Sequence, residues 1–204
     1  MTIALIMNAA PVIPVLVLDN SIDPAALAET LVGAGLPVLE VTLRTSYALD
    51  AIRAMSAVPG AMVGAGTVLD PVMLDAAIAA GARFIVSPGL TEKLGRAAIA
   101  SGVPFLPGIA NAGDIMRGLD LGLERFKFFP AEASGGLAAL AALSGPFGDI
   151  RFCPTGGISI DSAPAWLAHP SVDCVGGSWI VRAGDTDLAA IADRAKRAAA
   201  LRPR

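Results

Sequence analysis

The strongest constraint in this chain is a repeat: short apolar runs alternate with alanine-rich segments of helical character from one end to the other. The runs are Val12–Leu18, Val38–Thr42, Ala61–Ala65, Phe84–Ser87, Val103–Pro107, Phe126–Phe129, Arg151–Pro154 and Val172–Gly176. Most lack polar alternation, as expected of strands covered on both faces. Asp23-Pro24 and Asp70-Pro71 each read as an N-cap followed by proline at the first helical position. Thr91, Asn111 and Asp161 are further expected helix starts, and Gly35, Gly81 and Gly102 are expected stops. Alternating strands and helices imply a parallel sheet. Eight such units close into an α/β single-domain (β/α)8 barrel, expected over residues 1–204 with 1–10 as a short N-terminal extension. It would be short beside a typical barrel of ~250 residues. An open doubly wound sheet is the alternative. Gly64-Ala65-Gly66 lacks the third glycine of a dinucleotide fingerprint, since Thr67-Val68-Leu69 follows.

Composition narrows the function classes. Hydrophobic residues are 54 % of the 204 and charged residues 16 %, so the chain is a folded globule. A net charge of -3 with no basic run argues against nucleic-acid binding. Residues 1–18 carry no charge, but Pro11 and Pro14 would interrupt a spanning helix, and no Lys or Arg forms a signal-peptide start. A short helix or tail before a buried strand, in a cytoplasmic protein without a membrane partner, is the expectation. Cys153 and Cys174 are expected reduced and buried, and His169, beside Pro170, at the surface. No His/Cys/Asp cluster has metal-ligand spacing, so no metal is expected.

Two residues stand out against the apolar strands. Lysine occurs only at 93, 127 and 196, and Lys127 alone sits in a core strand, Arg125-Phe126-Lys127-Phe128-Phe129. If Phe126 and Phe128 pack under helices, strand parity turns Lys127 into the barrel. An ammonium is poorly solvated there, which favours a neutral amine able to attack a carbonyl. The alternatives are a lysine paired with a carboxylate or one that snorkels out. Glu40 lies in Val38-Leu39-Glu40-Val41-Thr42-Leu43-Arg44, and parity places Glu40, Thr42 and Arg44 on one face. Glu40 suits general acid/base work and Arg44 a bidentate carboxylate contact. A structural pairing of Glu40 with Arg44 or with Lys127 stays open.

The strand ends carry the remaining candidates. Thr155-Gly156-Gly157 and Gly176-Gly177-Ser178 end the last two strands, where such barrels bind phosphate through backbone N–H groups. A single Gly-Gly pair is usually a turn; two at matching strand ends point to an anion site. Thr67, Ser87-Pro88-Gly89 and Pro107-Gly108 lie at the same rim, as pocket walls or simply as tight turns.

Together these stretches resemble bacterial 2-keto-3-deoxy-6-phosphogluconate (KDPG) aldolase, often bifunctional with 4-hydroxy-2-oxoglutarate aldolase. They are Leu39–Thr45, Val63–Thr67, Ser87–Gly89, Arg125–Glu132, Arg151–Gly157 and Gly176–Trp179. The resemblance implies a cofactor-free, metal-free class I aldolase, a homotrimeric carbon–carbon lyase of the Entner–Doudoroff pathway. Its ligands would be a phosphorylated 2-keto acid, pyruvate and glyceraldehyde 3-phosphate. It assigns Lys127 as the Schiff-base lysine and Glu40 as the acid/base. Arg44 and Thr67, with Lys127, would hold the pyruvyl carboxylate, and Thr155 would orient the aldehyde between Pro88 and Phe129. Gly156, Gly157, Gly176, Gly177 and Ser178 would take the phosphate. One departure is Arg182, where the family pattern leads one to expect proline. The segment before Pro11 is also short, so a curtailed leading helix is expected. A sugar-phosphate isomerase or epimerase, or a non-catalytic barrel for phosphorylated ligands, remains the competing reading; fold alone does not separate them.

Overall fold

The computed structural model describes residues 1–201; the last three positions of the barrel expected over 1–204 lie outside the described residues. A short helix α1 (Ile3–Met7) precedes strand β1 (Val12–Leu16). Then follow α2 (Pro24–Gly33), β2 (Val38–Thr42), α3 (Ala48–Ser56), β3 (Met62–Gly66), α4 (Pro71–Ala79), β4 (Ile85–Val86) and α5 (Glu92–Ser101). The second half holds β5 (Phe105–Leu106), β6 (Gly108–Ile109), α6 (Ala112–Asp120), β7 (Arg125–Phe128), α7 (Gly136–Ser144), β8 (Arg151–Pro154), α8 (Ala163–Leu167), β9 (Val175–Gly177) and α9 (Leu188–Ala199).

All pairings are parallel, in the order β5-β4-β3-β2-β1-β9 and β6-β7-β8. Two features close the ring. Segments β5 and β6 form one barrel strand interrupted at Pro107, whose missing N–H removes a ladder bond. It pairs with β4 through Phe105 and Leu106, and with β7 through Gly108 and Ile109. On the far side, bridges Phe152↔Val172 and Thr155↔Gly176 join β8 to β9. Nine segments thus make the eight strands of a (β/α)8 barrel, which excludes the open sheet.

Local signals explain most helix ends. Asp23 and Asp70 accept the N–H of Ala26 and Met73, each at 2.8 Å, with proline next in sequence. Thr91 and Asn111 cap α5 and α6 in the same way. Gly102 follows α5 at φ 72°, a left-handed conformation that glycine adopts without a Cβ penalty. Asp161 does not start α8. Ser162 is the N-cap residue there, and Ser159 and Ser162 exchange hydrogen bonds ahead of the helix. Arg182 also has a local reason. Its N–H donates to Asp185 Oδ2 at 2.8 Å, a bond proline cannot make, and the same carboxylate pairs with Arg194.

Two apolar layers result. Leu39, Val41, Phe126, Phe128 and Phe152 face the helices. Ile13, Val38, Phe84, Val86, Leu106, Cys153 and Cys174 fill the barrel's lower interior, sealed from below by Ile6 and Met7 of α1. Both cysteines are free and buried, and the neighbouring Cys153 together with burial pushes the Cys174 thiol up. Near the start of β9, Asp173 lies 3.6 Å from the guanidiniums of Arg125 and Arg151. Burial raises the Asp173 carboxyl while the two arginines pull it down. That shared charge holds β7 and β8 to the chain entering β9, where the ladder is reduced to bridges.

Gly64 shows how tightly the floor is packed. A Cβ there would lie 2.5 Å from the Phe84 ring. Gly64→Ala is expected to destabilise by ~1–3 kcal/mol through overpacking. Gly33, with open space at its Cα, should gain about 0.4–1 kcal/mol as Gly33→Ala. Urea denaturation of the two variants measures both.

Candidate active site

In β7 the phenylalanines and the lysine separate as strand parity requires. Phe126 packs against Gly118 of α6, and the Phe128 ring lies 6.3 Å from that of Trp166 in α8. Lys127 therefore points into the barrel. Its Nζ donates to Glu40 Oε1 at 2.8 Å and Oε2 at 3.2 Å, with the two side chains only 7 % and 5 % exposed. Glu40 pairs with Lys127 and not with Arg44. The Phe129 ring centroid lies 5.3 Å from the ammonium, a favourable cation–π placement at the mouth of the site.

Glycines on neighbouring strands make room for these groups. A Cβ on Gly66 would collide with Glu40 Oε1 and lie 2.8 Å from its Cγ. Gly176 does the same for Thr155, whose side chain fills the space that a Cβ there would take. The Thr155 hydroxyl, almost wholly buried, donates to Cys153 O at 3.3 Å. The Gly64-Ala65-Gly66 run is thus a device for interior space: Gly64 accommodates Phe84 and Gly66 accommodates Glu40.

The rim differs in detail from the strand reading. Strand β2 ends at Thr42, whose hydroxyl is buried and donates to Leu16 O at 2.9 Å. Arg44 lies beyond the strand in a tight turn, where its N–H bonds Thr42 O at 2.8 Å. It shares no strand face with Glu40; it is exposed and reaches sideways, Nε donating to Thr67 Oγ1 at 3.3 Å. Thr67 adopts φ 59°, the only positive φ outside glycine among the described residues. A β-branched residue there stores strain on the order of 1–3 kcal/mol, which clusters at ligand-holding positions. On the opposite wall Ser87 Oγ donates to Gly89 O at 2.6 Å, closing the turn that presents Pro88. Gly108 permits the Pro88 carbonyl to lie directly on its Cα.

The glycine pairs serve two purposes. Gly156 and Gly157, at φ 101° and 81°, form a turn that opens to solvent at Gly157. Gly176 and Gly177 are buried within β9, the second against Val12 and Trp179, and Ser178 alone of that trio is exposed. Two residues that the sequence reading gave no role stand behind the first turn: Glu132 and Trp166, joined by an indole N–H to carboxylate bond of 3.1 Å. Their signal was faint. Glu132 closes a motif after β7, but nothing local marks its partner 34 residues later. Lys93 and Lys196 are exposed, as expected of solvated residues, while His169 is half-buried and accepts the Ser171 N–H. Among the described residues no group of three or more His, Cys, Asp or Glu side chains could hold a metal ion.

This arrangement can exchange a proton between an amine and a carboxylate in a site open only toward the rim. It depends on Gly66. Gly66→Ala is expected to leave the fold intact by circular dichroism and to lower turnover by ~10²-fold or more, because a misplacement of about 1 Å suffices for that.

A family model described as KDPG and KHG aldolase matches residues 3–194. The chain is 58 % identical over 197 residues to a 2-dehydro-3-deoxy-phosphogluconate aldolase of Zymomonas mobilis, covering 97 % of this chain and 95 % of the relative. It is similar to the solved KDPG aldolase of Zymomonas mobilis ZM4 with 3-phosphoglycerate, with TM-score 0.95, 57 % identity and coverage of 97 % and 95 %. It is also similar to KDPG aldolase of Legionella pneumophila with pyruvate captured at low pH as a covalent carbinolamine. There the TM-score is 0.94, the identity 41 % and the coverage 98 % and 99 %. The buried lysine–glutamate pair at the centre of a closed barrel and these matches along nearly the whole chain lead to one conclusion: the chain belongs to the KDPG and KHG aldolase family.

Proposed function

We propose that the chain is a class I aldolase that cleaves 2-keto-3-deoxy-6-phosphogluconate to pyruvate and D-glyceraldehyde 3-phosphate through an imine on Lys127. The observation that carries this is the 2.8 Å contact between Lys127 Nζ and Glu40 inside the barrel. The relative that holds pyruvate as a carbinolamine supports the covalent route, and the one holding 3-phosphoglycerate supports a phosphorylated ligand.

The proposed steps use Glu40 as the base in contact with the lysine nitrogen. Glu40 takes a proton from the Lys127 ammonium, and the free amine attacks the C2 ketone. Glu40 hands that proton to the new alkoxide and takes a second from the nitrogen, giving the neutral carbinolamine; it then protonates the hydroxyl, water departs, and an iminium remains. Glu40 then removes the C4 hydroxyl proton. The C3–C4 bond breaks, its electron pair enters the iminium to give the enamine, and the aldehyde leaves. Protonation of the enamine at C3 by Glu40, then hydrolysis, releases pyruvate and restores Lys127. One carboxylate within reach of the nitrogen serves every proton transfer.

The remaining candidates surround that path. Arg44 and Thr67 are assigned to the pyruvyl carboxylate; their hydrogen bond and the strained Thr67 backbone support that reading. Thr155 is assigned to aldehyde orientation, with Pro88 and Phe129 as walls. The phosphate is assigned to the Gly156-Gly157 turn, where left-handed glycines let the backbone approach an anion, and to Gly176-Gly177-Ser178 at the end of β9. The same lysine chemistry extends to the unphosphorylated 4-hydroxy-2-oxoglutarate. We further read the protein as a cytoplasmic homotrimer; exposed Leu69 and Val72 offer apolar surface to a neighbouring copy. No helix among the described residues is long and apolar enough to cross a membrane.

Incubation with pyruvate and borohydride tests this reading. The expected result is a stable adduct mapped by mass spectrometry to Lys127 and absent in Lys127→Ala. Glu40→Gln should lower turnover by ~10²–10⁴-fold. A chelator should leave turnover unchanged. No adduct at Lys127 would exclude the imine route, and full activity in Glu40→Gln would assign the proton transfers elsewhere.

A further inference from the structure

We propose that Glu132 is a positioning residue for the phosphate end of the substrate, holding the Gly156-Gly157 turn in the shape that binds the anion. The inference rests on the phosphate placement given above. Three contacts on three different atoms carry it. The Glu132 N–H donates to Gly156 O at 3.1 Å, next to an Ala131 N–H to Thr155 O bond of 2.8 Å. These extend the β7–β8 pairing past the end of both strands, since Thr155 N–H already bonds Phe128 O at 2.9 Å. The aliphatic stem lies flush on the turn: a Cβ on Gly157 would stand 2.6 Å from Glu132 Cγ and 2.7 Å from its Cβ. The carboxylate is anchored in turn, Oε1 accepting the Trp166 indole N–H at 3.1 Å. Trp166 is 2 % exposed and sits in α8, the helix that follows the glycine turn.

Two consecutive left-handed glycines have little rigidity of their own. A phosphate held by backbone N–H groups needs those groups already aimed, or the ordering cost falls on binding. Glu132 supplies that order from below, and it does so from the turn that follows Lys127 on the same strand. The phosphate turn is therefore braced from the chain segment that leaves the strand carrying Lys127.

The test uses the condensation direction, in which the two halves of the site have separate substrates. Glu132→Ala is expected to raise the KM for glyceraldehyde 3-phosphate about tenfold, the equivalent of one lost hydrogen bond. The KM for pyruvate and the borohydride trapping of pyruvate should not change. Glu132→Gln should restore the aldehyde KM to within about twofold, because its amide oxygen still accepts from Trp166. Trp166→Phe removes the indole donor while keeping an aromatic ring against Phe128, and should reproduce the Glu132→Ala effect, which serves if the alanine variant does not fold. Equal loss for both substrates, or an unchanged aldehyde KM, overturns the proposal. Ser178→Ala separates the two levels. If Ser178→Ala raises the aldehyde KM while the Glu132 variants are silent, this proposal alone fails. If all are silent, the phosphate placement fails with it.

Discussion

A charged pair in a nearly dry cylinder is the interaction on which the rest of this molecule turns. Lys127 and Glu40 are each more than nine-tenths buried and meet at 2.8 Å. Burying two charges costs several kcal/mol each before their attraction is counted, so such a pair is seldom a source of net stability. The structure around it limits that cost. Gly66 leaves a space shaped for the carboxylate. Phe84 and the α1 residues Ile6 and Met7 close the barrel below, so the pair faces one opening only. Removing either partner would leave the other charged and alone, a loss of about 3–5 kcal/mol. A pair that adds little to stability yet is given this much room is what the proposed chemistry at the lysine nitrogen requires.

The second constraint is that a substrate with an acid at each end must meet fixed groups on both sides of that nitrogen. The side proposed for the carboxylate is built from a strained residue, Thr67, and a guanidinium that crosses the rim to reach it. The side proposed for the phosphate is a turn of flexible glycines stiffened by neighbours, with Glu132 and Trp166 beneath. One side stores strain and the other borrows rigidity. Both arrangements fix donors in advance, so that less ordering is left to the moment of binding.

Much of this was legible in the sequence. Period-2 alternation in Phe126-Lys127-Phe128 was enough to turn the lysine inward, because an error of one residue would have placed two phenylalanines inside and a charge under the helices. Asp-Pro pairs located helix starts through a local hydrogen bond that needs no tertiary context. What was not legible depends on contacts between distant strands. Nothing near Gly66 in the sequence shows that its missing side chain is occupied by Glu40 from β2, and the Thr67 backbone conformation has no sequence signature at a threonine. Parity also failed at Arg44, since it holds only while the strand continues and β2 stops at Thr42. Pro107 divided one barrel strand into two segments for the same kind of reason: the run was apolar enough, but a ladder bond was missing.

A crystal of this protein soaked with pyruvate reads the covalent bond and the pocket together. The expected density runs continuously from Lys127 Nζ to the pyruvate C2, with Glu40 displaced from its paired position and the carboxylate between Arg44 and Thr67. Pyruvate held elsewhere on the rim, or bound without a covalent link while Lys127 and Glu40 remain paired, would contradict the imine route.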